Sequence, residues 1–250
     1  MTDIDAAAAR LDEAQRLATA TTQLSDGGAL DIDDAYRVQH AVLAHRVARS
    51  EQLIGRKLGF TSRAKAVQMG VHDLIIGSLT DAMQIGDGGV FVASSGIHHR
   101  IEPEVAYLLD ESGAVRAVAP ALEIIDSRYA DFRFDLGDVV ADNTSACAFV
   151  IGAWRDPADV GPLDNRAVTL EIDGRLAQIG STAAILGDPA RAVAAAERLA
   201  STHDFPDIGE AILLAGAATA AAAVPQAGVV EATVAGLGRV SVRIQQGDQA

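Results

Sequence analysis

The pattern of apolar residues changes at Gly55, and this change limits the fold more than any other feature of the chain. Before it, residues 31–48 carry apolar side chains near helical spacing, and Asp31 is placed to cap the helix. After it, short apolar runs are interrupted by Gly and Asp, which is typical of strands joined by turns. The order predicts an α+β protein with a helical segment over residues 1–50 and one continuous β-rich domain over residues 51–250.

Two glycine-containing turns predict hairpins in the β-rich region. Asp173-Gly174 interrupts an alternating run, and both residue types tolerate positive φ. Gly236 and Gly238 interrupt a second run in the same way. The sheet is therefore predicted to be mixed, without a regular alternation of strand and helix.

Only two further helices are expected after residue 50. One is a short segment over Arg63–Met69, which ends before a glycine. The other is Ala190–Ser201, with Asp188 as its N-cap and Pro189 at its first position.

The net charge of −14 argues against two classes of function. Such a surface repels phosphate backbones and anionic headgroups, so neither a nucleic-acid nor a membrane partner is expected. An anionic substrate would then need a local positive site, from a metal or a buried cation. Cys147 is the only cysteine, which excludes an intrachain disulfide and a thiolate metal cluster and is typical of a cytoplasmic protein. The acidic start is unlike a secretory signal.

Three glutamates in apolar surroundings are the candidate metal ligands. Glu102 and Glu104 lie two apart in RIEPEVAYLL, which is typical of a strand, so both carboxylates point to one face. Glu123 lies in the apolar run ALEIID, where an unpaired carboxylate is costly to bury. Carboxylates without Cys or His favour a hard cation, Mg²⁺ or Mn²⁺. Spacing alone leaves open that the first two line a solvent face and that Glu123 pairs with Arg128.

Four stretches together resemble the hydratase and decarboxylase group of the fumarylacetoacetate hydrolase superfamily. They are IGRKLGFTSRAKAVQMGV (54–71), RIEPEVAYLL (100–109), ALEIIDSRYADFRFDLGDVVADNTSACAFVIG (121–152) and GLGRVSV (236–242). Their order and spacing match over nearly the whole chain. The resemblance implies a mixed β-sheet roll, a small 2-oxo acid as substrate, a homo-oligomer, and association with a paired hydratase.

The resemblance also implies roles for individual residues. It implies that Glu102, Glu104 and Glu123 bind Mg²⁺ or Mn²⁺, and that Lys57 lies near the metal as a proton-transfer or charge-stabilising group. Ser145 is implied as a substrate-side hydroxyl.

Four further residues complete the substrate side that the resemblance implies. Asp142 and Asn143 are expected to shape the pocket, and Leu58 is expected to contact substrate. Arg128 is a candidate for binding a substrate carboxylate, although it could instead pair with Asp126 or Asp131.

The residues around Lys57 support its implied role. A lysine between Gly55 and Gly59 in an apolar stretch is expected to be partly buried, and burial beside a cation lowers its pKa toward the range that is useful for proton transfer. The alternative is that Arg56 and Lys57 form a solvated basic pair.

The chain departs from the family pattern at a step that bears on the pocket. The family often has Thr-Gly where this chain has Ala215-Gly216, which puts a second hydroxyl contact in doubt.

The adjacent His98 and His99 point to opposite faces of an extended chain, so at most one is expected to reach the metal.

Two lyase reactions are compatible with this pattern. One is decarboxylation of 4-oxalocrotonate (2-oxo-3-hexenedioate) to 2-hydroxypenta-2,4-dienoate in the catabolism of aromatic compounds, and the other is hydration of that dienoate. Hydratases of the family commonly carry an acid in P-D-F-G or P-D-Y-G, where this chain has Ile75. Phe132 stands where hydratases often have Trp, although Asp73 could replace the missing acid. Decarboxylation is therefore predicted, and a non-catalytic partner subunit remains the alternative of another class.

Overall fold

A computed structural model describes residues 2–62 and 74–247. Its helices are α1 (Ile4–Arg16), α2 (Ile32–Ala48), α3 (Leu136–Ala141), α4 (Pro157–Val160) and α5 (Arg191–Thr202). Its strands are β1 (Leu53–Gly59), β2 (Ile75–Thr80), β3 (Gln84–Ile85), β4 (Val90–Val92), β5 (Arg100–Leu109), β6 (Val115–Ile125), β7 (Ala146–Ile151), β8 (Ala167–Ile172), β9 (Arg175–Ser181), β10 (Ala211–Ala217), β11 (Ala222–Ala223), β12 (Gly228–Val234) and β13 (Gly238–Gln245). No helix in these two ranges is long and apolar enough to cross a membrane.

The described strands form two sheets. The larger has the order β2-β1-β10-β5-β6-β7-β3, with β11 also paired to β5, and the smaller has the order β4-β13-β12-β8-β9. In the larger sheet β1 and β10 are parallel, whereas β10 and β5 are antiparallel. Mixed sheets together with helices confirm the predicted α+β class.

Local sequence explains where α2 and the hairpins begin and end. The Asp31 carboxylate accepts the N–H of Asp34 at 2.8 Å, which confirms Asp31 as the cap of α2. Asp173 and Gly174 have φ of 50° and 70°, so they form the predicted tight turn between β8 and β9. The second predicted hairpin joins β12 and β13, and Gly236 adopts a φ of 76° in its turn.

One predicted helix is shifted and another lies outside the described residues. Helix α5 begins at Arg191, and its N-cap position is Ala190 rather than Asp188. The Asp188 carboxylate instead accepts the N–H of Ala190 in the turn before the helix, and Pro189 belongs to that turn. The helix predicted over Arg63–Met69 lies outside the ranges that the structure describes.

The two faces of β5 and β6 explain where polar residues accumulate. One face packs Ile101, Leu122 and Ile124 against the smaller sheet. The opposite face carries small residues, including Ala106, Ala119 and Ala121, which pack beneath the larger rings and side chains of that core, such as Phe149 and Leu214. Because side chains alternate along a strand, Glu102, Glu104 and Glu123 continue this second face beyond the alanines.

Candidate active site

Strand pairing brings the three glutamates together. Glu102 lies directly opposite Glu123 across the β5–β6 pair, and Glu104 lies opposite Ala121. All three are buried, and each offers an oxygen within 4.8 Å of the others. Like charges facing each other across strands destabilise a sheet, so this arrangement calls for a cation.

The oxygens of Glu104 and Glu123 differ in their partners. A bulge in β10 turns the N–H of Gly216 toward Glu104, whose Oε2 accepts it at 2.7 Å. In the described part of the chain, neither Glu123 oxygen accepts a hydrogen bond of normal geometry. Glu123 Oε1 nevertheless lies 2.6 Å from Lys57 Nζ, so this contact is an ion pair with poor hydrogen-bond angles.

The electrostatics of the cluster disfavour three free carboxylates. Burial raises the pKa of Glu104 well above its ordinary value, and the neighbouring Glu123 raises it further, whereas Lys57 opposes both effects. Burial also raises the pKa of Glu123, and Lys57 again opposes the shift. A divalent cation among these oxygens would hold them ionised. The carboxylate-only donor set and the open lone pairs of Glu123 fit Mg²⁺ or Mn²⁺.

Lys57 lies on β1, and its side chain is almost completely buried, with 3% exposed. Its Nζ donates to the carbonyl of Thr144 at 2.9 Å and forms the ion pair with Glu123. Arg56 points elsewhere, because its guanidinium lies over the ring of Phe205. The alternative of a solvated basic pair is therefore wrong.

A left-handed turn presents the carbonyl that Lys57 contacts. Asn143, Thr144 and Ser145 have φ of 47°, 53° and 58°, a run that costs conformational energy in L-residues. The Asn143 amide accepts the N–H of Ser78 at 2.8 Å and donates to its carbonyl at 2.9 Å, which ties the turn to β2. A Cβ at Gly77 would lie 2.4 Å from Thr144 Oγ1, so the close approach of strand and turn requires glycine.

Some of these groups, namely Lys57, Glu102, Thr144 and Ser145, line a cavity of about 500 Å³. Lys57, Glu102 and Ser145 give it a polar end, and Arg100 and Asp131 also line it. Its remaining walls are largely apolar, with Leu58, Phe60, Ile75, Ile125, Phe132, Phe134 and Val139 among the lining residues. Leu58 and Ser145 therefore lie where the substrate side was predicted.

Arg128 does not lie in this cavity, which corrects its assignment to the substrate side. It is 2% exposed, and its Nε binds the carboxylate of Asp142 in a short contact. Its Nη1 donates to the carbonyls of Asp126 and Ala146, and its Nη2 donates to the carbonyl of Asp142. With every guanidinium nitrogen engaged, Arg128 has a structural role.

Asp142 and Asn143 are also absent from the cavity lining. Asp142 is fully buried against Arg128, and Asn143 is bound to Ser78. They shape the pocket only indirectly, by holding in place the turn that presents Thr144 and Ser145. Neither His98 nor His99 lines this cavity.

Sequence reasoning missed three contributors to the site. The Gly216 N–H and the Thr144 carbonyl are backbone groups, so residue types carry little signal for them. Arg100 was open to prediction, because it lies two residues before Glu102 on the same strand and therefore on the same face.

Comparison with known proteins shows that the chain is similar in sequence to decarboxylases and hydratases. No family model matches the chain. It is 44% identical over 245 residues to a 4-oxalocrotonate decarboxylase of Pseudomonas sp, covering 94% of this chain and 95% of that protein. It is 36% identical over 189 residues to a 2-hydroxypent-2,4-dienoate hydratase of Pseudomonas putida, covering 70% of this chain and 85% of that protein.

A solved structure matches along almost the whole chain. It is the 4-oxalocrotonate decarboxylase from Pseudomonas putida G7, complexed with magnesium and adipate. The TM-score is 0.92 at 31% sequence identity, and 98% of each chain is covered.

Proposed function

Because the chain belongs to the hydratase and decarboxylase group of the fumarylacetoacetate hydrolase superfamily, we propose that it decarboxylates 4-oxalocrotonate to 2-hydroxypenta-2,4-dienoate. The observation that carries the proposal is the cluster of Glu102, Glu104, Glu123 and Lys57, of which Glu102 and Lys57 line a largely apolar cavity. This cluster also argues against a non-catalytic partner subunit.

Glu102, Glu104 and Glu123 would hold the Mg²⁺ or Mn²⁺ on which the reaction depends. When bound, the ion supplies Lewis-acid stabilisation of negative charge at the 2-oxo acid end of the substrate. The Glu123 oxygens that lack a normal hydrogen bond are the observation that supports this fit.

The reaction breaks the C5–C6 bond of the substrate and releases C6 as CO2. The electron pair forms the C4–C5 double bond, and the C3–C4 double bond moves to C2–C3. Negative charge arrives at the 2-oxo oxygen, which then takes one proton. We propose that Lys57 Nζ, oriented by Glu123 and Thr144, stabilises that charge and transfers the proton.

The apolar walls favour decarboxylation over hydration. Ile75 and Phe132 line the cavity with apolar side chains, which suit the neutral CO2 that leaves better than an attacking water. Hydration would need a group that orients water, and Ile75 supplies none. Asp73, which could supply one, lies outside the described residues.

The test is to supply purified protein and Mg²⁺ with 2-oxo-3-hexenedioate and, separately, with freshly generated 2-hydroxypenta-2,4-dienoate. We expect CO2 release from the dioate that stops in EDTA. Rapid hydration of the dienoate without CO2 release from the dioate would instead assign the hydratase reaction. Turnover of neither substrate would leave a partner subunit as the remaining reading.

We further propose a cytoplasmic homo-oligomer that associates with the paired hydratase. The family resemblance supports this, together with the similarity of the chain to both enzymes. Light scattering of the protein alone and of its mixture with the hydratase measures both assemblies.

A further inference from the structure

Arg100 lines the cavity that Lys57 and Glu102 also line. It begins β5, where pairing with β6 is regular, so its side chain lies on the same face as that of Glu102. It lines both this cavity and an adjoining one of about 400 Å³. Among the described residues, Lys57 and Arg100 are the only cations that line the main cavity.

The aromatic ring of Phe132 supports the guanidinium of Arg100. The central guanidinium carbon lies 5.0 Å from the ring centroid, a cation–π distance. The ring in turn packs on His98, with centroids 4.8 Å apart. A cation–π contact does not use the N–H groups of a guanidinium as hydrogen-bond donors to oxygen, so they can still bind a carboxylate with two hydrogen bonds.

No carboxylate within residues 2–62 and 74–247 forms an ion pair with Arg100 at 4.0 Å or less. Asp131 lines the same cavity, yet it does not reach that distance. An exposed, aromatic-supported arginine beside a substrate cavity is therefore available to an anionic ligand.

The spacing along β5 matches the length of a dicarboxylic acid. Two residues of a strand cover about 7 Å, which separates the backbone positions of Glu102 and Arg100. An extended six-carbon chain spans roughly 6 Å, because its five C–C bonds of about 1.5 Å each form a zigzag. A substrate whose 2-oxo acid end lies at Glu102 and Lys57 can thus bring its second carboxylate to Arg100.

We infer that Arg100, supported by Phe132, forms a subsite for the distal carboxylate of a dicarboxylic 2-oxo acid. The inference rests on the proposed function and deepens it, since it gives the site a preference for dioates over monoacids. The carboxylate that Arg100 contacts is the group that leaves as CO2, so Arg100 stabilises the bound substrate and not the charge that develops at the 2-oxo oxygen. Its loss should therefore raise KM without lowering kcat.

Two unreactive ligands test binding at the two ends of the site separately. 2-Oxohexanedioate and 2-oxohexanoate share the 2-oxo acid end, and only the first has a distal carboxylate. Both lack the double bond that decarboxylation needs. In calorimetric titrations with Mg²⁺, we expect the dioate to bind the wild type about 10-fold to 100-fold more tightly, the range for a hydrogen-bonded charge pair.

Arg100→Met should remove this preference and leave 2-oxohexanoate binding unchanged. With 4-oxalocrotonate, the same variant should raise KM by about 10-fold or more and change kcat little. Arg239→Met is the matched control, because its exposed side chain lies outside the cavity and its loss changes the net charge equally. Asp131→Asn, which removes a negative charge from the cavity lining, should instead strengthen dioate binding.

Other results would contradict either the subsite alone or the subsite together with the proposed function. If Arg100→Met weakened both ligands equally, or neither, the subsite would be wrong while the proposed function stood. If the wild type bound neither 2-oxo acid in the presence of Mg²⁺, the proposed function and the subsite would fall together.

Discussion

Two buried clusters of opposite charges lie close together in this protein, and they differ in how completely their polar atoms are paired. In the cluster of Lys57 with the three glutamates, both Glu123 oxygens lack a normal hydrogen bond within the described residues, and the cluster borders a cavity. In the Arg128–Asp142 pair, every guanidinium nitrogen is engaged and the pair lies away from the cavity.

The comparison teaches that burial and charge alone do not identify a reactive site. Buried polar groups in native proteins are nearly always paired, so an incompletely paired set beside a cavity points to a ligand-binding site. A completely paired set points to a structural role. The predictions below test this difference in order of decreasing effect.

Removing one metal ligand should separate function from stability. We expect Glu104→Gln to abolish Mg²⁺-dependent turnover, because the ion loses one of three carboxylates. The free energy of unfolding should stay the same or rise, since a buried charge among like charges is removed. Turnover with Mg²⁺, measured with and without EDTA, reports the first effect, and urea denaturation reports the second. The exposed Glu111→Gln is the control. Retained turnover would show that these glutamates do not hold the metal.

Breaking the fully paired cluster of Arg128 and Asp142 should instead reduce stability. Arg128→Met leaves Asp142 buried without its cation, and we expect a loss of about 3–5 kcal/mol in the free energy of unfolding. The exposed pair Arg116–Glu210 provides the control, since Arg116→Met should cost about 1 kcal/mol or less. Urea denaturation at neutral pH measures both. Equal losses for the two variants would contradict the structural role of Arg128.

Changing Lys57 tests the catalytic half of the comparison. We expect Lys57→Met to lower kcat by about 10²-fold or more, the usual scale for general acid–base groups. The Mg²⁺ concentration for half-maximal activity should change less, because Lys57 is not one of the carboxylate ligands. Steady-state kinetics at several Mg²⁺ concentrations distinguish the two effects. A kcat close to that of the wild type would assign Lys57 to structure.

His99 is a buried histidine outside both clusters, and it should make the free energy of unfolding depend on pH. Burial lowers the pKa of His99, and the carboxylate of Asp126, 3.6 Å away, opposes the shift. As the pH falls below about 6.5, the unfolded chain binds a proton that the folded chain does not yet bind, so the free energy of unfolding decreases. His99→Gln should reduce this dependence. Thermal melts between neutral and acidic pH measure it, and parallel curves for the two proteins would contradict the assignment.

Much of the fold and part of the site follow from local patterns in the sequence. The spacing of Glu102 and Glu104 sets their common face, and Asp31 caps its helix as predicted. The N-cap predicted at Asp188 was wrong, because its carboxylate forms a turn before the helix instead of capping it. The division into segments at residue 50 stays a prediction.

The partners of the charged residues could not be predicted in the same way. Arg128 was expected to bind substrate or to pair with Asp126 or Asp131, and it pairs with Asp142. Lys57 was expected near the metal, yet its contact with the Thr144 carbonyl depends on a left-handed turn that residue types do not specify.

By itself, the sequence indicated the family through its motifs, and its local patterns determined the alternation along β5 and β6 and the hairpin turns. These features depend on φ preferences and on a two-residue period, which act over a few neighbouring residues. Only the tertiary structure decided that β1 lies beside β10, that Lys57 contacts Glu123 and that Arg100 lines the same cavity as Lys57. Those contacts join residues far apart in the chain, and their geometry depends on which strands pair and how the sheet bends.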